Sequence, residues 1–257
     1  MRLPLLLIPL LLLTGNSHAE ATLDTIQSCM VANIPTTTAE QSVRLRSIDR
    51  AGSEQALSAR LWWRHKEDKD TRLMARIDAP LDLEGAAYLA IQEEGEQTVY
   101  SYIPAIKRVH RIKSGNSKGK LWGTDFSYED IRYLQAVATS GELSVEGEGS
   151  YGERKTWIVT MVPSDPSSSY QKVVNQVDQE TCVPLMSELY EQGGEPRKIL
   201  SVDPLSLSQI GDRWLARRAS MEDKLNETRT EIEITRVEYD DKISARTFSP
   251  SNFYKVR

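Results

Sequence analysis

Histidine and cysteine are scarce in this chain, which has three of the first and two of the second, and that scarcity removes whole classes of chemistry. His65 and His110 are not spaced with a second ligand, and the sequence has no Cys-x-x-Cys pair and no carboxylate-rich calcium loop. Neither a metal centre nor a cofactor is therefore expected. Gly115-Asn116-Ser117-Lys118-Gly119 matches the nucleophile elbow G-x-S-x-G, but a serine hydrolase of that type needs a later histidine, and the last one is His110. The segment reads as a solvated Lys/Gly loop. Gly147-Glu148-Gly149-Ser150-Tyr151-Gly152 matches the dinucleotide fingerprint, yet Trp157, Ile158 and Val159 follow it as a strand, where a pyrophosphate site requires a helix. A hairpin turn is the expected reading. No catalytic residue is assigned. Glu93, Glu94 and Glu96 cluster as carboxylates do in solvated turns, and Asn226-Glu227-Thr228 is a glycosylation pattern too short to weigh.

Long hydrophobic runs are also missing, with one exception. Leu5 to Leu13 is apolar, Arg2 precedes it, and the small residues Ser17 and Ala19 close it. This is the layout of a secretory signal peptide over residues 1–19, since a membrane span needs about 20 apolar residues. No cysteine stands at the cleavage point to carry a lipid, so a soluble exported protein is expected. Without Arg2, 31 basic residues against 37 acidic ones leave a net charge of −6. That sign argues against nucleic acid as a partner. Export places Cys29 and Cys182 in an oxidising space, which predicts one disulfide, with two free buried thiols as the alternative.

What remains is mostly alternation. Leu23, Ile26 and Met30 recur at helical spacing and Pro35 ends the pattern, so a short amphipathic helix is expected from Thr22 to Asn33. After it the period is two. Leu57, Ala59, Leu61 and Trp63 alternate with Ser58, Arg60, Trp62 and Arg64; Leu73, Ala75 and Ile77 do the same after a turn at Asp68 to Asp70. Trp62, on the polar face, is expected at the surface as an anchor or partner contact. Further strands are predicted at 87–92, 97–103, 108–112, 142–147, 155–162, 171–178, 183–190, 197–203, 213–221 and 229–238, with a turn at Glu94-Gly95. About a dozen strands in a meander imply a curved antiparallel sheet with a hollow that something must fill or cover. The segment from Phe126 to Leu134 is the other helix candidate, with Ser127 and Asp130 at capping-box spacing. One domain over residues 20–257 is expected, since no repeat or linker divides the chain.

Residues 100–131 are the most informative. Tyr100-Ser101-Tyr102-Ile103-Pro104-Ala105-Ile106-Lys107-Arg108-Val109-His110-Arg111-Ile112 precedes the Lys/Gly loop, and Trp122-Gly123-Thr124-Asp125-Phe126-Ser127-Tyr128-Glu129-Asp130-Ile131 follows it. This pattern resembles the outer-membrane lipoprotein-sorting-protein-like family, the LolA-like periplasmic carriers. Its members show Tyr-Leu-Pro-Ala-Leu-x-Arg-Val-Arg-Arg-Ile and then Gly-Ser-Asp-Phe-Ser-Tyr-Glu-Asp. Ala79-Pro80, Leu83-Glu84-Gly85 and Phe248-Ser249-Pro250 extend the likeness, while Ile103, His110 and Thr124 depart from it.

The resemblance implies a half-open β-barrel closed by a helical lid, with an apolar cavity for acyl chains. It also implies a monomeric periplasmic carrier of a lipid or lipidated protein, associated with inner-membrane exporters of the RND or MMPL type. A module of the same fold that senses or regulates, carrying nothing, is the alternative. Tyr102, Ile103, Pro104 and Ile106 are expected at the cavity rim. Lys107, Arg108, Arg111 and Lys113 would form a basic edge that meets head groups or an acidic partner. Asp125, Glu129 and Asp130 supply opposite charge, which would alternatively pair with that edge and fix the lid. Trp122, Phe126 and Tyr128 are assigned first to lid packing and second to ligand contact.

Overall fold

The computed structural model describes residues 22–35, 37–66, 70–93, 96–112, 118–135, 141–240 and 242–255. The expected signal peptide, residues 67–69 and 94–95 where turns were expected, and most of the expected Lys/Gly loop, Lys113 included, lie outside the described residues.

Helix α1, Leu23–Ala32, is capped by Thr22, whose hydroxyl accepts from the Thr25 amide, and it buries Ile26 and Met30. Among the described residues fifteen strands and a second helix follow: β1 (Ala39–Ile48), β2 (Glu54–Lys66), β3 (Asp70–Ala79), β4 (Ala87–Glu93), β5 (Glu96–Ile103), β6 (Arg108–Ile112), then helix α2 (Tyr128–Gln135), β7 (Gly141–Tyr151), β8 (Arg154–Pro163), β9 (Lys172–Asp178), β10 (Pro184–Tyr190), β11 (Pro196–Val202), β12 (Leu207–Ile210), β13 (Arg213–Ala216), β14 (Arg218–Asp223) and β15 (Thr228–Tyr239). Thirteen of them form one antiparallel sheet in the order β6-β5-β4-β3-β2-β1-β15-β14-β11-β10-β9-β8-β7. The sheet curves but does not close, because its edges β6 and β7 do not pair with each other. The fold class read from the sequence is therefore the one found.

The structure corrects the strand expectations at β1, at β12, which was not expected, and at the stretch 213–221. β1 went unrecognised, although it sits near the middle of the sheet between β2 and β15. The stretch 213–221 is two strands, since β12 and β13 leave the sheet as a separate hairpin and the break falls at Arg217, whose amide bonds to Ser206 O.

Cross-strand register sorts the side chains into two faces. Leu45 stands opposite both Leu57 and Ile232, Leu61 opposite Ala75, and Ala75 opposite Tyr88. These rows face inward, where α2 and the segment 121–126 cover them, while α1 packs on β7–β9. The outward rows of β2–β5 are covered as well. Trp62, Met74, Leu89 and Ile91 pack there against Phe248 and Phe253 of the C-terminal segment. Trp62 is accordingly 3% exposed, with its indole N–H donated to Glu40 at 2.8 Å, so the expectation of a surface anchor is corrected. Alternation identified its face, but the chain's own end buries that face.

The nucleotide-like glycine pattern is explained by strand geometry. Gly147 takes φ of 144° at a bulge in β7, a Cβ on Gly149 would lie 2.8 Å from Ile158 Cδ1, and Gly152 turns the β7–β8 hairpin at φ of 59°.

Cys29 and Cys182 form a disulfide across 153 residues, tying α1 to the turn after β9. Asp178 shapes that turn: it accepts two bonds from the Arg154 guanidinium, at 2.7 and 2.6 Å, and two more from Thr181. Burial pulls the Asp178 carboxyl upward, but the bonds from Arg154 and Thr181 prevail and hold it below the usual carboxylate range.

Cys29→Ser/Cys182→Ser should lower unfolding stability by about 5 kcal/mol in the chain-entropy account of so long a loop, read as a drop in denaturation midpoint. An unchanged midpoint would show that the crosslink constrains nothing. Because the folded pKa of Asp178 is depressed, its contribution is present above the unfolded value of about 3.9 and lost as pH falls through the folded one. The stability gap between wild type and Asp178→Asn should therefore be constant near neutrality and shrink below about pH 4. Urea titrations across that range measure it.

Candidate functional site

The inward face carries a narrow cavity of about 70 Å³ in which every exposed wall atom is apolar. Val43 and Leu45 of β1, Ala59 and Leu61 of β2, Leu73 and Ala75 of β3, Tyr88 of β4 and Ile232 of β15 supply the sheet side; Leu121, Trp122, Phe126 and Ile131 supply the lid. A broader open hollow of about 890 Å³ shares Leu45 and Ile232 with it. Leu57, Val202, Ala219 and Tyr151 also line that hollow, as do Arg44, Arg46, Arg218 and Arg229. Those arginines pair with carboxylates: Arg44 with Glu233, Arg46 with Glu54 and Glu231, Arg218 with Asp203, and Arg229 with Glu231.

A buried polar cluster fastens the lid to the sheet. Lys198, on β11, shares the inward face with Leu200 and Val202. Its ammonium donates to Asp130 at 2.5 Å and to the Asp125 carbonyl at 2.8 Å. Asp130 also receives the Tyr170 hydroxyl at 2.6 Å and the Ser127 amide at 2.7 Å, while Ser127 Oγ accepts from the Asp130 amide. Ser127 and Asp130 thus make the reciprocal cap that their spacing suggested. The carboxylate of Asp125 is held by Thr228, by Thr230 at 2.8 Å and by Lys120 at 3.0 Å. Glu129 accepts from Ser168 and from both the amide and hydroxyl of Ser169. Burial, then the negative charge and hydrogen bond of Asp130, drive the Tyr170 hydroxyl far above its ordinary range, so it stays a donor.

The residues singled out in the sequence are divided by this arrangement. Trp122 and Phe126 both pack the lid and line the cavity, and Tyr128 stacks on Tyr88 at 5.6 Å between ring centroids. Asp125, Glu129 and Asp130 are at most 4% exposed, and their partners are Lys198, Lys120, serines, threonines and Tyr170 instead of the basic edge. Tyr102 is not at the rim; it faces outward and stacks on Tyr254 at 4.5 Å. Ile103 and Ile106 are exposed, and neither they nor Pro104 line the apolar cavity. Lys107, Arg108 and Arg111 are exposed along β6 and the turn before it. Sequence reasoning missed Lys198, Thr228 and Thr230. Their signal was parity, since Lys198 stands two residues from inward Leu200, and Thr230 and Thr228 stand two and four residues from inward Ile232. Among the described residues no group of histidine, cysteine and carboxylate side chains is placed to hold a metal ion.

Comparison with known proteins adds the relatives. Residues 69–255 match the model of a family described as an uncharacterized protein. The chain belongs to this family. No curated protein matches it. Among solved structures, a putative outer-membrane lipoprotein-sorting protein domain from Vibrio parahaemolyticus is similar with a TM-score of 0.81 at 22% identity, covering 90% of this chain and 96% of the other. A DUF1329 family protein from Desulfovibrio piger gives 0.81 at 20% identity over 88% and 95%. A LolA superfamily protein from Nitrosomonas europaea gives 0.68 at 16% over 88% and 96%. The fold is therefore that of the lipoprotein-sorting, LolA-like proteins.

Lys198→Met should cost about 3–5 kcal/mol, because it strands the Asp130 carboxylate in a buried site. Adding Asp130→Leu should recover much of that loss. Chemical denaturation of both single variants and the double variant measures the coupling, and additive losses would mean that the pair does not hold the lid.

Proposed function

We propose that this chain is an exported, periplasmic carrier that holds the acyl tail of a lipid or lipidated protein on the inward face of its half-open barrel, and passes it on across the envelope. The observation that carries this reading is the wholly apolar cavity shared between the sheet and a lid fastened by polar contacts. The LolA-like fold supports it, as does the apolar N-terminal run of residues 1–19, read as a signal peptide. Each methylene left in water costs about 0.8 kcal/mol, so a tail crosses an aqueous gap only under cover.

At about 70 Å³ the cavity is far below the roughly 300 Å³ at which ligand sites begin. Leu121, Trp122 and Phe126 occupy the room that a tail needs. Cargo entry on this reading is displacement of the lid, a shift between closed and open populations that a donor or acceptor biases by binding one of them. An inner-membrane exporter of the RND or MMPL type is the proposed donor or acceptor. The tight interior favours one other reading, a module that senses or regulates through the lid and carries nothing.

Native mass spectrometry of the purified protein, with a fluorescent acyl probe, separates the two. A carrier retains lipid and binds the probe, and Leu45→Glu/Ile232→Glu weakens probe binding at least about tenfold, since a charge beside a tail costs more than 1.4 kcal/mol. Lipid-free protein that ignores every acyl probe would end the carrier reading and leave the sensor.

A further inference from the structure

We propose that the β6 edge of the sheet is a docking surface for an anionic lipid bilayer. Most large apolar side chains of the described residues are buried, and exposed ones such as Leu205 and Leu225 stand in separate turns. One corner is different. Leu81 is 85% exposed on the turn between β3 and β4, Ile106 is 52% exposed on the turn between β5 and β6, and Ile103, which ends β5, is 43% exposed. The two turns lie side by side, since a Cβ on Gly85 would lie 3.8 Å from Pro104 Cγ.

Cations flank these apolar tips. Lys107, held in the left-handed region at φ of 50°, is followed on the edge strand by exposed Arg108 and Arg111. Lys255 joins them from the C-terminal segment, through Tyr254 stacked on Tyr102. Among the described residues neither Lys107 nor Arg108 has a carboxylate within ion-pair distance, and Arg111 bonds to the Thr98 hydroxyl. Asp82 and Glu84 lie on the Leu81 turn and partly oppose the cations; Asp78 is taken by Arg60. On a chain whose net charge is −5, a cationic edge tipped with apolar residues has the composition of a peripheral membrane contact, in which apolar tips insert and cations meet head-group phosphates. Apolar exposure of this kind has no stabilising role in water.

The position connects docking with the interior. Ile112, at the end of β6, packs in the same cluster as Leu121, Trp122 and Ile131 of the lid. Contact at this edge therefore touches the strand that borders the lid. The inference does not depend on the cargo, so a failed acyl-probe assay leaves it standing.

The test is flotation of residues 20–257, which include every described element, with vesicles of pure phosphatidylcholine or of phosphatidylcholine mixed with phosphatidylglycerol. Binding to the anionic vesicles should exceed binding to neutral ones by at least about tenfold and fall with added salt. Lys107→Gln, Arg108→Gln and Arg111→Gln should each weaken it about fivefold. Leu81→Ser/Ile106→Ser should weaken it on both kinds of vesicle. All five positions are exposed, and unchanged thermal unfolding of each variant shows that folding is intact. Absent or charge-independent vesicle binding overturns the proposal, as does indifference to the glutamine variants. Binding to soluble polyglutamate without vesicle binding overturns it in favour of an acidic protein partner.

Discussion

A lysine removed from water decides how this sheet is covered. Lys198 is 6% exposed and Asp130 is fully buried, and two such groups taken from water lose several kcal/mol of hydration each. Their mutual attraction repays this only where the remaining donors and acceptors are satisfied. Here the ammonium has the Asp125 carbonyl as a second acceptor, and Asp130 has Tyr170 and the Ser127 amide as further donors. An apolar lid could slide along an apolar sheet with little change in free energy. These directional contacts allow it one register, the one that sets Trp122, Phe126 and Ile131 over Leu45, Leu61 and Ala75.

The rest of the architecture follows from a curved sheet that must hide apolar surface on its inner face and, along β2–β5, on its outer face too. The C-terminal segment solves the second problem by laying Phe248 and Phe253 across Trp62, Met74 and Leu89. Toward β1 and β15 the outward rows carry charge instead. Arg44 faces Glu233, and Arg46 is bracketed by Glu54 and Glu231. Such exposed pairs contribute at most about 1 kcal/mol each, so their main effect is to keep that surface wet.

Period-two alternation made the sheet legible, and the capping spacing of Ser127 and Asp130 made the lid helix legible. β1 was harder to see because only Val43 and Leu45 are strongly apolar on its inward face, between Gln41 and Ser47. Lys198 was obscured for a related reason. A charged residue in an alternating strand is read as outward, whereas its parity with Leu200 and Val202 places it inside. Trp62 and Tyr102 show what alternation cannot contain: it assigns a side chain to a face, but which distant segment lies on that face is a tertiary fact. Phe248, legible only as part of a family-like motif, turns out to be that segment.

The same closure that packs the inward face also sets the terms of loading on the proposed reading. On the proposed reading, a tail entering the cavity displaces Leu121, Trp122 and Phe126, and one apolar surface replaces another against the sheet. Because the exchange is between surfaces of similar character, its net free energy is small compared with the roughly 0.8 kcal/mol per methylene that drives the tail out of water. The polar fastening is not exchanged in this way. Separating Asp130 from Lys198 leaves charge uncompensated in a dry site, at a cost of several kcal/mol, unless the lid moves far enough for water to reach both. A lid that flexes slightly is therefore disfavoured relative to one that is fully seated or fully lifted. Two discrete states of this kind are what a partner needs if it is to load or unload the protein by preferring one of them.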